Sequence, residues 1–161
     1  MQVVVYATIC NYLCYMLSKD DYFVPPCLCN KVNMISRMIN TMYRKAFTNY
    51  NISNEQISIL LVLNATKKCT QQHLADKLSI EKSTFSRNIV KMIDNGWINR
   101  TQGKNAKEKV ISLTSKGRDK HADVLPIWQE VQRKATRMLG FSTIKELDRM
   151  LIELKKETQN A

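Results

Sequence analysis

The sequence predicts a mainly α-helical chain with one small β hairpin, and three observations carry that prediction. Apolar residues recur at spacings of three and four in long stretches before residue 50 and after residue 117. Between Thr70 and Gly117, two short helical patterns run directly into two short apolar segments with a basic tip. Composition is that of a packed protein: 44% hydrophobic, with four Gly and three Pro in 161 residues, which argues against disorder. A chain of this length suits one domain and can bury a core of its own.

The elements follow in order. Residues 3–17 are apolar, but no Lys or Arg precedes them, and fifteen residues are too few to span a bilayer. They are read as part of an N-terminal extension, residues 1–26, and Met16 is an alternative start. Pro25-Pro26 break the chain before a helix expected over about Cys27 to Asn49, with apolar positions Val32, Ile35, Met38, Ile39, Met42, Tyr43, Phe47 and Tyr50 advancing by three or four. Ser53 and Gln56 form a capping-box pattern ahead of a helix that is apolar nearly all round and should be buried. Cys69 and its neighbours suit a third, very short strand. After Gly117 a helix is expected to about Leu139, kinked near Pro126 because the ring removes a backbone donor. Thr143 and Glu146 suggest a cap for a last helix with Ile144, Leu147, Met150, Leu151 and Leu154 as its apolar stripe.

The stretch TQQHLADKLSIEKSTFSRNIVKMIDNGWINRTQGKNAKEKVISLTSKG holds the functional signal. Leu74, Ala75 and Leu78 face inward from one short helix, and Phe85, Ile89, Met92 and Ile93 from the next. The other face of that second helix carries Lys82, Ser83, Thr84, Ser86, Arg87 and Lys91, opposed only by Glu81. Gly96 should end the helix, since a residue without Cβ enters the left-handed conformation at least cost. The hairpin tip adds Lys104, Asn105, Lys107 and Lys109. Hydroxyls and a guanidinium can read base edges, while ammonium groups suit phosphate. Ser and Thr are poor residues for an ordinary helix exterior, because their hydroxyls compete for local backbone groups.

The pattern LA-x-x-L, KST-x-SR, GWI-x-R and a basic tip closing on LTSKG resembles the MarR family of winged helix-turn-helix transcription regulators. The resemblance extends more weakly from about Cys29 to the C-terminus. It implies a single domain over residues 27–161, with the winged helix-turn-helix at 53–117 and dimerisation helices at 27–50 and 118–161. It also implies a homodimer on palindromic double-stranded DNA, more often a repressor than an activator, released by a small-molecule effector held near Met38, Met42 and Tyr43. The family usually places an acidic residue and an arginine eight and six residues before Leu113. Asn105 and Lys107 stand there, so the ion pair at the wing tip has no counterpart, while the positive charge is kept.

A net charge of +11 points to a polyanionic partner, and its concentration on the second helix and hairpin favours nucleic acid over a membrane. Five cysteines without a secretory signal fit a reducing cytoplasm. Cys10 and Cys14, with Cys27 and Cys29, lack zinc-finger spacing, so no metal or other cofactor is expected. Cys29 is the redox candidate. It lies at a helix start, and the segment is similar to the peroxide-sensing branch of the family, which places tyrosines four and fourteen residues later; here those positions hold Asn33 and Tyr43. The missing first tyrosine makes a packed, inert thiol the simpler reading. His73 and His121 are read as surface helix residues. No nucleophile–base set, paired-carboxylate signature or phosphate-binding glycine loop points to an enzyme. The alternatives are a thiol-based or metal-sensing regulator and a winged-helix module that binds protein.

Overall fold

The structure, a computed structural model, describes residues 27–105 and 108–160, with side chains described as far as Glu157. The N-terminal extension proposed for residues 1–26, the cysteines within it and Lys107 therefore lie outside the described residues. Helix α1 spans Leu28–Ala46 and leads through a 3-10 turn, Thr48–Tyr50, to α2, Asn54–Thr66. Strand β1 (Lys68–Thr70), α3 (Gln71–Leu78), α4 (Lys82–Asp94), β2 (Ile98–Gln102) and β3 (Lys109–Leu113) follow, then the long helices α5 (Ser115–Leu139) and α6 (Phe141–Asn160). The chain divides into two compact units, Met1–Thr41 and Met42–Ala161, with the boundary inside α1.

In the second unit, the capping box expected at Ser53 is formed. The Ser53 hydroxyl accepts from the Gln56 amide, and the Gln56 side chain accepts from the Ser53 amide. Two otherwise orphaned donors are thus satisfied where the chain enters α2. Ile57, Ile59, Leu60 and Leu63 of α2 are almost wholly buried. Around them close Phe47, Leu74, Phe85, Ile89, Met92, Trp97, Ile98, Ile111, Leu113 and Val124, making one continuous core. Cys69 does supply a third strand: the antiparallel sheet runs β1-β3-β2, with Cys69 opposite Ile111 and Ile98 opposite Leu113.

Several sequence expectations are corrected. The first helix ends at Ala46 rather than near Asn49, because the chain tightens there into the 3-10 turn, with Asn51 left-handed at φ 47°. The last helix does not start at a Thr143 cap. Gly140, at φ 82°, ends α5, and its carbonyl already accepts from the Ile144 amide, so Phe141 opens α6 and Thr143 lies within it. Glu146 pairs with Arg149 instead of capping. His121 is buried at 8% exposure, on the inward side of α5 with Gly117 and Val124, and burial lowers its pKa from the ordinary imidazole value. Pro126 lies inside the continuous α5.

Candidate nucleic-acid interface

Helix α4 is anchored by Phe85, Ile89 and Met92, all at or below 2% exposure. Those anchors fix which face turns outward: Lys82, Ser83, Ser86, Arg87 and Lys91 are exposed, while Thr84 is half-buried. Glu81 is the N-cap. Its carboxylate accepts the Ser83 and Thr84 amides, each at 2.9 Å, and the Ser83 hydroxyl. Those three donors, the hydroxyl first, hold its carboxyl down at about 2, well below the ordinary range. The Thr84 hydroxyl accepts from Arg87 at 3.2 Å and steadies the guanidinium on the outer face. The side chains of Ser83 and Thr84 therefore have local partners that sequence reasoning did not assign. Ser86 has no side-chain hydrogen bond among the described residues.

The other end of α4 is closed by a two-bond cap. The Trp97 amide reaches the Met92 carbonyl at 2.9 Å and the Gly96 amide reaches Ile93 at 2.8 Å, with Gly96 at φ 71°. This is the left-handed termination expected at Gly96, and Trp97 packs into the same core as Met92. The motif LTSKG then locks the wing to its base. Thr114 donates its hydroxyl to the Gly96 carbonyl at 2.6 Å and caps α5 by accepting from Gly117 at 2.9 Å. Its amide reaches the Trp97 carbonyl at 3.1 Å. Gly117 is required by contact: a Cβ there would lie 1.9 Å from that same carbonyl oxygen.

Among the described residues the wing tip is held by hydrogen bonds. Glu108 accepts the Lys104 amide on its carboxylate at 2.7 Å and the Gly103 amide on its carbonyl at 2.9 Å. The Glu108 amide in turn reaches the Asn105 side-chain oxygen at 2.9 Å. Asn105, named from sequence as a DNA contact, thus uses its side chain to build the turn, as Asn commonly does. Lys104 and Lys109 are exposed. Arg100, the arginine of GWI-x-R, is also exposed on β2 and was passed over; its place in the motif was the available signal.

The remaining sequence candidates fall elsewhere. Met42 and Tyr43 are half-buried, and the Tyr43 hydroxyl donates to Gln132 at 2.5 Å, its pKa raised by burial. Met38 is 66% exposed. Cys29, expected to be packed, is exposed in the first turn of α1, and Asn33 donates to its sulfur at 3.4 Å. A cleft of about 830 Å³ opens beside the end of α4, lined by Arg44, Lys45, Gln56, Asn88 and Lys91 among others. Among the described residues no cluster of His, Cys, Asp and Glu could hold a metal ion, and no helix is long and apolar enough to cross a membrane.

Residues 52–109 match the family model described as MarR family. An uncharacterised HTH-type transcriptional regulator of Bacillus subtilis, YwoH, is 27% identical over 97 residues, covering 60% of this chain and 71% of that protein. The Mycobacterium tuberculosis transcriptional regulator MosR, solved in complex with DNA, is 27% identical with a TM-score of 0.71, over 83% of this chain and 97% of that one. Over residues 52–109 the chain is thus similar to the MarR family of transcription regulators. An Escherichia coli MarR mutant complexed with operator DNA shares the fold at 16% identity, with a TM-score of 0.67 over 79% of this chain and 92% of that one. The buried stripe on α4 and the Gly96 termination lie within the matched region and fix where the cationic face points, and the Gly117 contact lies beyond it.

Proposed function

We propose that this chain is a MarR-family regulator that binds palindromic double-stranded DNA as a homodimer and represses transcription from the promoter it occupies. The observation that carries the reading is the outer face of α4. A rigid, capped helix presents Lys82, Ser83, Ser86, Arg87 and Lys91 to solvent above three fully buried anchors. That helix enters the major groove, with its N-terminal residues nearest the bases, while Lys104, Lys107 and Lys109 bring the wing to flanking phosphate and the adjacent minor groove. Two-fold pairing is supported by apolar side chains left uncovered in the single chain. Leu147, Leu151 and Leu154 are 41–59% exposed on α6. A two-fold protein matches a palindrome. DNA bound in this way is met in the cytoplasm. A small-molecule effector that prefers a different spacing of the two reading heads lowers operator affinity by population shift.

The test is Arg87→Ala, measured against a duplex selected from a random pool and against random-sequence duplex. Arg87 as a base reader predicts a loss of about 1–3 kcal/mol on the selected site and a relaxed preference at one position per half-site. Equal losses on both duplexes would leave Arg87 as a phosphate contact. A wild-type chain that binds no duplex at low salt would refute the reading.

A further inference from the structure

Val90 stands on the reading face of α4, and it is the only exposed Val, Ile, Leu, Met, Phe, Tyr or Trp among the described residues from 42 to 137. Its side chain is 51% exposed. It follows Ser83, Ser86 and Arg87 at spacings of seven, four and three, which places all four side chains on one face of a 3.6-residue helix. The inward direction of that helix is fixed independently by Phe85, Ile89 and Met92. A single apolar side chain on a protein surface ordinarily needs no explanation. This one has a context that singles it out. The other large apolar side chains that this unit exposes begin at Met138, at the end of α5 and along α6, whereas Val90 lies one helical turn beyond Ser86 and Arg87, amid cationic and hydroxyl groups. A β-branched residue on an exposed helix face is also a weak helix former, so nothing local favours valine there.

We infer that Val90 is a specificity-determining residue that packs its two methyl groups against the 5-methyl of a thymine in the major groove. The inference rests on the DNA-reading role of α4 and assigns a base-edge contact within it. The chemistry is selective. Thymine alone among the four bases shows a methyl group in the major groove, and an apolar side chain meeting it gains burial without needing a hydrogen bond. Cytosine at that position would set a polar amino group against the valine instead, leaving its hydrogen bond unmade. Arg87, one turn nearer the helix start, can contact guanine on the same face. Val90 would then set the preference for thymine at a neighbouring position.

The experiment uses the full chain and a duplex selected from a random pool. Each thymine of one half-site is replaced in turn by deoxyuridine, which keeps Watson–Crick pairing and removes only the methyl. Burial of one methyl predicts that a single replacement weakens wild-type binding by about fourfold, the others having little effect. Val90→Ala should lose about the same factor on the thymine duplex and show no further loss on the sensitive deoxyuridine duplex. Alanine favours the helix, so circular dichroism and random-duplex affinity should match wild type and separate a lost contact from a lost fold. Wild type with no deoxyuridine-sensitive position, or Val90→Ala keeping the full deoxyuridine penalty, would overturn the assignment while leaving the DNA-reading role of α4 intact. Failure of wild type to select any duplex would overturn both.

Discussion

Gly117→Ala tests whether the wing and α5 meet as tightly as the structure requires. The added Cβ would lie 1.9 Å from the Trp97 carbonyl oxygen and 2.8 Å from its carbon. An ordinary C···O approach is about 3.3 Å or more, so the helix start and the Trp97 backbone must separate by more than 1 Å. The obstacle is backbone, so no rotamer change relieves it. Separation strains the bonds by which Thr114 reaches the Gly96 and Trp97 carbonyls at 2.6 and 3.1 Å. Overpacking costs about 1–3 kcal/mol and each weakened hydrogen bond about 1 kcal/mol. Alanine returns about 1 kcal/mol of helix propensity, leaving a net loss of about 2–4 kcal/mol. Urea unfolding followed by circular dichroism at fixed protomer concentration should show that loss, with DNA affinity falling as the base of the wing shifts. An alanine variant as stable as wild type would mean that the helix does not pack on Trp97, and the explanation of the LTSKG motif would fail with it.

Lys104→Ala should weaken binding nearly equally on all duplexes and reduce the slope of log affinity against log salt by about one unit; an unchanged slope would place the tip in solvent. Glu81→Gln tests the α4 cap. Because hydrogen bonds from Ser83 and Thr84 depress the folded pKa of Glu81 to about 2, its stabilisation is present above the ordinary carboxylate value and is lost as pH falls through the folded one. A thermal-midpoint series from about pH 5 to about pH 2.5 should therefore show a gap between wild type and variant that closes on acidification, and a constant gap would refute the cap's electrostatic role. Leu151→Glu, at a 57% exposed position on α6, should convert a dimer to monomer by light scattering and reduce operator affinity in parallel. A monomeric variant with full affinity would exclude the two-fold arrangement.

What the sequence made legible was set by short-range physics. The Ser53–Gln56 capping box and the Gly96 termination are encoded within four to six residues, and both are formed. The inward stripe of α4 follows from periodicity alone, and Phe85, Ile89 and Met92 are buried as that period requires. Legibility failed where two local signals competed or where polarity disguised position. At the last helix, Thr143 and Glu146 have capping-box spacing, yet Gly140 three residues earlier had already started the helix with its carbonyl. His121 keeps the four-residue spacing of Gly117 and reaches the core side of α5, but its polarity marked it for the surface. The wing tip was read through a missing ion pair. Its replacement, Asn105 and Glu108 bonding each other's neighbourhood backbone, depends on a turn geometry that composition does not reveal.

The same distinction bears on the reading face itself. Three hydroxyls near the start of α4 were read together as base-reading groups. The structure separates them: Ser83 donates to Glu81, and Thr84 accepts from Arg87. A carboxylate cap at this end of a DNA-reading helix would ordinarily oppose phosphate. Here its charge faces the backbone amides of Ser83 and Thr84 and the positive end of the helix, where a negative group is stabilising. The cap also orders the first turn without spending Lys82, Arg87 or Lys91, none of which has an ion pair among the described residues. The field of the outer face therefore stays positive, and on the proposed reading the uncharged or forked groups left to discriminate bases are Ser86, Arg87 and Val90, with Ser83 retaining its acceptor lone pairs. Specificity would then reside in the second turn of α4 more than in its first, the reverse of what hydroxyl clustering alone suggests. Alanine substitution should therefore relax sequence preference more at Ser86 than at Thr84, and the opposite order in a selection experiment would return the reading to the helix start.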